Sequence, residues 1–375
     1  MFNVKELSHP FSKLVIVYIF WLATGILAGS LFEVYFFGLG LSIQEIVATS
    51  FFWFVGSLIL IPLFKRFDSK KFMLIGIFIT FISILVLYNF NFKEAAYLYR
   101  LLLSLTILFF WMPFNISFYE FRKENNALLG ALYFSLGPLL LLVLPAVSGV
   151  IAASLGYGNL YLLAMISCAI TFVLGFLFLE ERVYTYDLVK SLKSISGLRS
   201  LIFLEGFGAN MIASVTLETM LLKYATKPIE FGSFISLTTV FSILASFLTA
   251  KISDNHKRRR EFVLLSSVAL GIATIFASTA GSIEQFFLAF SLVNFFKTIF
   301  FPFPFAVVVD NSKNLVSTMI AREYMLNFGR ICGAIMGFAL LFYFDISSFM
   351  LVNGATMLIA YPLAFELKKR KLEKI

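Results

Sequence analysis

Long apolar runs, each about 20 residues or more, alternate along this chain with short polar gaps. Approximate spans are 13 to 39, 43 to 64, 72 to 90, 95 to 119, 127 to 153, 158 to 179, 200 to 224, 229 to 250, 261 to 280, 283 to 309, 315 to 343 and 346 to 366. A helix rising ~1.5 Å per residue needs about that length to cross ~30 Å of hydrocarbon. The pattern therefore predicts an all-α integral membrane protein with twelve transmembrane helices.

The polar gaps are unequal. Of 30 Lys and Arg, 23 fall at the N-terminus, the C-terminus and in every second gap between. They include Lys65, Arg66, Lys70 and Lys71, then Arg122 and Lys123, then Arg182 to Arg199, then Lys251 to Arg260, and the tail from Lys368 to Lys374. The intervening gaps hold only Lys93 and Lys227. Positive charge stays on the cytoplasmic side, so both termini are expected in the cytoplasm, which an even number of crossings permits. The expected location is the plasma membrane, multi-pass.

Composition changes the picture little. The chain is 60% hydrophobic and only 14% charged, against about 25% charged in soluble domains. A net charge of +9 invites a nucleic-acid reading, but basic loops against an anionic inner leaflet explain it without one. The first apolar run is too long for a signal-peptide core, so it is expected to remain as the first helix. Cys168 and Cys332 lie within apolar runs as packing residues, and His9 and His256 lie in cytoplasmic gaps. No His/Cys cluster suggests a metal.

The widest cytoplasmic gap divides the chain into a six-helix bundle at 1–179, a linker at 180–199 and a second six-helix bundle with a basic tail at 200–375. Several marks recur in order. Glu33 and Glu45 are twelve residues apart at the first inter-helix gap, as are Glu218 and Glu230 at the gap between segments 7 and 8. KRFDSKK follows segment 2 and KISDNHKRRR follows segment 8; FFWMPF lies in segment 4 and FFPFPF in segment 10. Such repeats are a common plan of secondary transporters.

These residues resemble the major facilitator superfamily over nearly the whole chain. That family carries, after its second helix, Gly, three residues, then Asp-Arg-x-Gly-Arg-Arg. Here Ile61 to Lys71 holds a degenerate copy, with Lys65 in place of the Asp and Asp68 in place of the Gly. Ala250, then Asp254, Lys257, Arg258 and Arg259, form a better second copy. Arg100 in YLYRLLLS is similar to the family's fourth-helix Arg, and Gly137-Pro138, Pro145 and Ser148-Gly149 follow the cadence of its fifth helix. The resemblance implies two six-helix bundles rocking about a central site, with helices 1 and 7 lining the cavity. It also implies a cytoplasmic gate, in which Arg322 and Glu323 meet the loop after segment 2, and for which Arg66, Asp68, Asp254 and Arg258 are candidates.

Charge within hydrocarbon costs roughly 2.5 to 3.5 kcal/mol by insertion scales, so intramembrane ionisable residues face a path or a partner. They are Glu33, Arg100, Glu205, Glu218, Lys223, Lys297, Arg322, Glu323 and Arg330. Glu33 lies seven residues before Gly40, about 10 Å inside the end of its helix at ~1.5 Å per residue. Glu33 or Glu218 is a proton-coupling or substrate-cation candidate; alternatively each is interfacial or ion-paired, Glu33 with Arg100. Asn210, Ser214 and Glu218 at steps of four form a polar stripe that either lines a cavity or joins helices. Glu323, Asn327 and Arg330 share a face, with Arg330 a candidate receptor for an anionic substrate group. Lys297 either contributes to binding or neutralises Glu218 or Glu205.

The expected function is secondary active transport of a small solute by alternating access, in its finer form proton-coupled efflux of a lipophilic or amphipathic compound. The 48 Phe residues suit such a substrate, although a low-GC genome enriches Phe without functional cause. Pro113, Pro302 and Pro304 are read as kinks. A lipid or lipid-linked glycan flippase on the same fold is the alternative, and a membrane-embedded transferase is disfavoured by scattered ionisable residues. No phosphate-binding loop, cofactor motif or obligate protein partner is visible. The expected partners are the solute, protons and the bilayer.

Overall fold

The computed structural model describes residues 10–120, 126–253 and 259–372. Long helices follow one another through them: α1 (Pro10–Gly38), α2 (Ile43–Leu60), α3 (Ser69–Asn89), α4 (Ala95–Glu120), α5 (Asn126–Leu141, continued by Leu144–Leu155) and α6 (Tyr157–Phe178). After the linker come α7 (Arg199–Leu221), α8 (Pro228–Ser253), α9 (Arg259–Ser278), α10 (Ile283–Asp310), α11 (Leu315–Leu340) and α12 (Ile346–Leu367). Eleven of these, among the described residues, are long and apolar enough to cross a membrane. The exception to the expected twelve is α11. Its 26 residues have the length, but Arg322, Glu323, Asn327 and Arg330 lower its apolarity.

In hydrocarbon every backbone group must find its partner within the segment, which is why the apolar runs are helical. Their starts are marked by short polar side chains that accept from otherwise orphaned N–H groups. Ser42 caps α2 in a capping box with Glu45, Asp68 caps α3, Ser282 caps α10, Asn314 caps α11 and Asp345 caps α12. Glu45 also pairs with Lys93 at 3.0 Å, and Glu230 pairs with Lys227 at 3.1 Å. Of the repeated acidic pairs, the outer members thus serve helix starts and surface ion pairs, whereas Glu33 and Glu218 lie inside.

Proline shapes the helices as the sequence suggests. A π-helical turn at Ile107–Trp111 precedes Pro113 in α4, and α10 is interrupted at Phe301 before Pro302. Proline cannot donate to the preceding turn and crowds its carbonyl, so the ladder widens or breaks there. The π-helical stretches Glu205–Asn210 and Ile212–Thr216 in α7 contain no proline, and the sequence gives no sign of them.

Helix pairing recurs between the two halves of the chain. α1 packs on α5 and α6, α2 on α4, and α3 on α4 and α6; correspondingly α7 packs on α11 and α12, α8 on α10, and α9 on α10 and α12. Across the halves, α2 lies against α11 and α8 against α5. The second contact is close: a Cβ on Gly232 would sit 2.1 Å from the Pro145 carbonyl oxygen, and one on Gly149 2.6 Å from that of Pro228.

At the end of the molecule where α1 starts, a two-stranded antiparallel sheet joins β1 (Arg66–Asp68) to β2 (Val183–Thr185) in the linker. Arg182 adds ion pairs to Glu120 and Glu180, both at 2.8 Å. A short helix, Leu188–Ser194, then packs against α11. Its cap Asp187 is held below the usual carboxylate range, chiefly by the Lys190 backbone N–H. The linker is therefore ordered, touching the α2–α3 loop on one side and α11 on the other.

Candidate functional site

A cavity of about 350 Å³ lies between α2, α4, α5, α7, α10 and α11, the size of a small-molecule site. Aromatic side chains form most of its wall: Trp53 and Phe54 from α2, Trp111 from α4, Tyr133 and Phe134 from α5, and Phe301 and Phe305 from α10. A second cavity of about 320 Å³ adjoins it toward the far end, and Trp53, Trp111, Ala213 and Ser214 line both.

Charged groups occupy this path in three layers. Nearest the end that holds the linker, Arg322 Nη2 donates to Glu205 Oε1 at 2.6 Å and Nη1 to Glu323 Oε1 at 3.4 Å. Its guanidinium stands 4.4 Å from the Phe305 ring. Asn115 of α4 donates to Glu323 at 3.2 Å and accepts from the Tyr133 hydroxyl at 2.9 Å, so this layer ties the first half of the chain to the second.

In the middle layer, Arg330 donates to the amide oxygens of Asn327 (2.9 Å) and Asn210, with the Phe54 ring 5.2 Å away. Both of its direct acceptors are neutral amides, and the carboxylates of Glu323 and Glu205 act on it from farther off in the same cavity. That differs from Arg322, which has two carboxylates.

In the far layer, Arg100 Nη2 donates to Glu33 Oε1 at 3.0 Å, with both side chains under 10% exposed. The Arg100 guanidinium lies between the rings of Phe32 (3.8 Å) and Trp53 (4.0 Å). Glu218 of α7 interacts electrostatically with Glu33, and Lys297 of α10 with Glu218. Oε2 of Glu33 is buried with no hydrogen-bond partner.

The residues singled out from the sequence are thus distributed as follows. Glu33, Arg100, Glu218 and Lys297 share the far layer; Asn210, Asn327 and Arg330 form the middle one; Ser214 bridges the two cavities. Ser214 and Asn210 do share the cavity face of α7, where the Ser214 hydroxyl donates to the Asn210 carbonyl. Arg322 and Glu323 are buried with Glu205 and Asn115, while Arg66 and Asp68 sit in the strand beside the linker, Asp68 capping α3. The structure does not bring these two pairs together. Asp254 and Arg258 lie outside the described residues. Asn115 and Tyr133 were not singled out, since a lone Asn and a Tyr in apolar segments carry no periodic signal. Glu205 was visible as an intramembrane carboxylate, but its partner was not.

A model of the Major Facilitator Superfamily matches residues 198–374, the second half of the chain. No curated protein matches the sequence. Among solved structures, the human organic anion transporter MFSD10 (TETRAN) is similar, with a TM-score of 0.63 and 14% identity over 97% of this chain and 100% of that one. The transporter FucP in its outward conformation gives a TM-score of 0.65 and 14% identity over 96% of this chain and 99% of that one. A variant of the E. coli fucose:proton symporter FucP gives 0.63 and 13% over 96% and 98%. At such identities the likeness concerns the fold. It extends over both halves, including the one that the family model does not match.

Proposed function

We propose that this divergent major facilitator superfamily protein is a secondary transporter for a small organic anion with an apolar or aromatic body, working by alternating access between two six-helix bundles, 1–179 and 200–375. The observation that carries the substrate class is Arg330: a guanidinium facing an aromatic cavity and held by two amide oxygens, with no ion pair among the described residues, while Glu205 and Glu323 in the same cavity are taken by Arg322. A carboxylate or sulfonate would meet it with charge-assisted, bidentate geometry. The walls of Trp53, Phe54, Trp111 and Phe305 would bury the rest of the solute. A structural neighbour that is named an organic anion transporter is consistent with this reading.

The basic gaps support a multi-pass orientation with both termini in the cytoplasm, and in this reading α11 is the twelfth crossing and the membrane is the plasma membrane. Glu33, Arg100, Glu218 and Lys297 then lie toward the outer side, and the Arg322, Glu205, Glu323 and Asn115 cluster forms the inner closure. Proton coupling, with Glu218 as the exchanging carboxyl, fits the far layer. The direction of net transport follows from the gradient imposed.

The test is counterflow of labelled aromatic carboxylates and sulfonates in proteoliposomes, beside sugars, lipophilic cations and labelled lipids. Saturable exchange of the anions, lost in Arg330→Gln, supports the proposal. Exchange of cations or sugars alone, or scrambling of lipids without anion exchange, overturns it.

A further inference from the structure

A compact anion at Arg330 would leave the second cavity, of about 320 Å³, unused. All three tryptophans of the chain line that cavity, Trp21, Trp53 and Trp111, together with Leu22 and Ile26 of α1, Leu141 of α5 and Ile235 of α8. Gly25 lies on the same face of α1 as Leu22 and Ile26 and lines the cavity too. Elsewhere glycine lets helices touch: a Cβ on Gly206 would stand 2.2 Å from the Leu326 carbonyl oxygen. A Cβ on Gly25 would meet nothing within 4 Å. Glycine is a poor helix former, and no close contact calls for it here; what it leaves is room. The two cavities share Trp53, Trp111, Ala213 and Ser214. The Trp53 ring is fixed by the Arg100 guanidinium at 4.0 Å and the stacked Phe54 ring at 5.1 Å, and α7 adds only two small side chains. Such a boundary suits a slender chain.

We propose that the second cavity is a tail subsite, and that the solute is an amphiphile with one anionic head at Arg330 and an uncharged alkyl or arylalkyl tail. The tail passes Trp53 and Ser214 and ends among Gly25, Leu141 and Ile235. The span is short enough for one molecule. Asn210, which holds Arg330, and Glu218, which lines only the far cavity, are eight residues apart on α7, about 12 Å at ~1.5 Å per residue. The tail is uncharged because the far cavity has no cation to spare. Arg100, the basic residue among those lining it, is already paired with Glu33 and covered by the rings of Phe32 and Trp53, and Glu218 adds a carboxyl group. A second anionic group would meet these acidic neighbours, whereas each methylene buried against the apolar lining should tighten binding up to about fourfold. The subsite deepens the reading given above and rests on it for the head group.

Intrinsic fluorescence of the full chain in nanodiscs tests it, since every tryptophan lies at this cavity and bromine quenches an indole on contact. Decanoate brominated at its terminal carbon should quench saturably and half-saturate at a concentration at least tenfold below that of bromopropionate, which is too short to leave the first cavity. Gly25→Leu fills the subsite and should reduce that preference tenfold or more. If it fails to fold, Ala213→Leu narrows the passage instead and should do the same. Sebacate, which has a carboxylate at each end, should displace bromodecanoate less well than decanoate does. A parent that binds bromodecanoate no tighter than bromopropionate, a folded Gly25→Leu or Ala213→Leu that keeps the parent's preference, or sebacate that competes better than decanoate overturns the tail subsite. Bromodecanol, the same tail without the charge, separates this from the assignment of Arg330. If it binds as tightly as bromodecanoate, and Arg330→Gln alters neither, the anionic head fails while the preference for length still decides the tail.

Discussion

Arg100 and Glu33 form a buried ion pair, Nη2 to Oε1 at 3.0 Å, whose cation is stacked between Phe32 and Trp53. Removing one partner of such a pair strands the other charge, a loss of about 3 to 5 kcal/mol. Arg100→Ala should therefore lower the Tm of the purified protein by several degrees or prevent its accumulation. Arg100→Lys should recover only part of the loss, because an ammonium lacks the planar face that stacks between two rings. A Lys variant as stable as the parent would show that stacking contributes nothing.

Arg330 offers its guanidinium to the cavity while its hydrogen bonds, among the described residues, go to Asn210 and Asn327. A charge-assisted hydrogen bond contributes about 1.5 to 3 kcal/mol, so Arg330→Gln should weaken binding of an aromatic carboxylate by about 10- to 100-fold. Isothermal titration in detergent would measure it. Neutral aromatic analogues should bind parent and variant alike, since the aromatic walls remain.

Gly232 meets the backbone of Pro145 where α8 crosses α5. A methyl group there would lie 2.1 Å from a carbonyl oxygen that cannot rotate away, so the helices must move apart. Because these helices belong to different halves, Gly232→Ala should favour the form open at the far end. The expected readout is faster labelling of a Ser214→Cys thiol by a membrane-impermeant maleimide, from the outer side in oriented vesicles. Unchanged labelling would mean that α5 and α8 separate without opening the cavity.

Asp345 caps α12 and receives the Lys223 ammonium at 2.7 Å. That hydrogen bond, before any other cause, holds its carboxyl below the usual range. A depressed carboxylate contributes its stability above the unfolded value of about 4 and loses it as pH falls through the folded value. Asp345→Ala should cost about 1 kcal/mol at pH 7, the usual loss of a cap, with the difference from the parent shrinking toward pH 3. Thermal unfolding at the two pH values would check it.

The helices were legible because hydrocarbon permits so few backbone solutions: a run of apolar residues of membrane length is a helix whatever it packs against. Charge in alternate gaps added an orientation, and the polar residues at gap edges, Ser42, Asp68, Ser282 and Asp345, became caps. Intramembrane charge was equally visible, since each such residue is conspicuous against its neighbours. What charge alone does not specify is a partner. Arg322 and Glu323 were read toward the loop after α2, yet that loop pairs with the linker through β1 and β2, and Arg322 turns to Glu205. The choice depends on helix rotation, which the π-helical turns of α7 alter between Glu205 and Thr216.

The sequence by itself determined that this chain is helical, membrane-spanning and charged at a few interior points, because the cost of exposing backbone and charge to lipid is paid locally. Only the tertiary structure decided that Arg330 faces a cavity between two amides, and that Asn115 of the first half reaches Glu323 of the second. Asn210 and Arg330 are 120 positions apart and Asn115 and Glu323 are 208 apart, and their meeting depends on how helices from different parts of the chain are rotated and spaced, which no local pattern encodes.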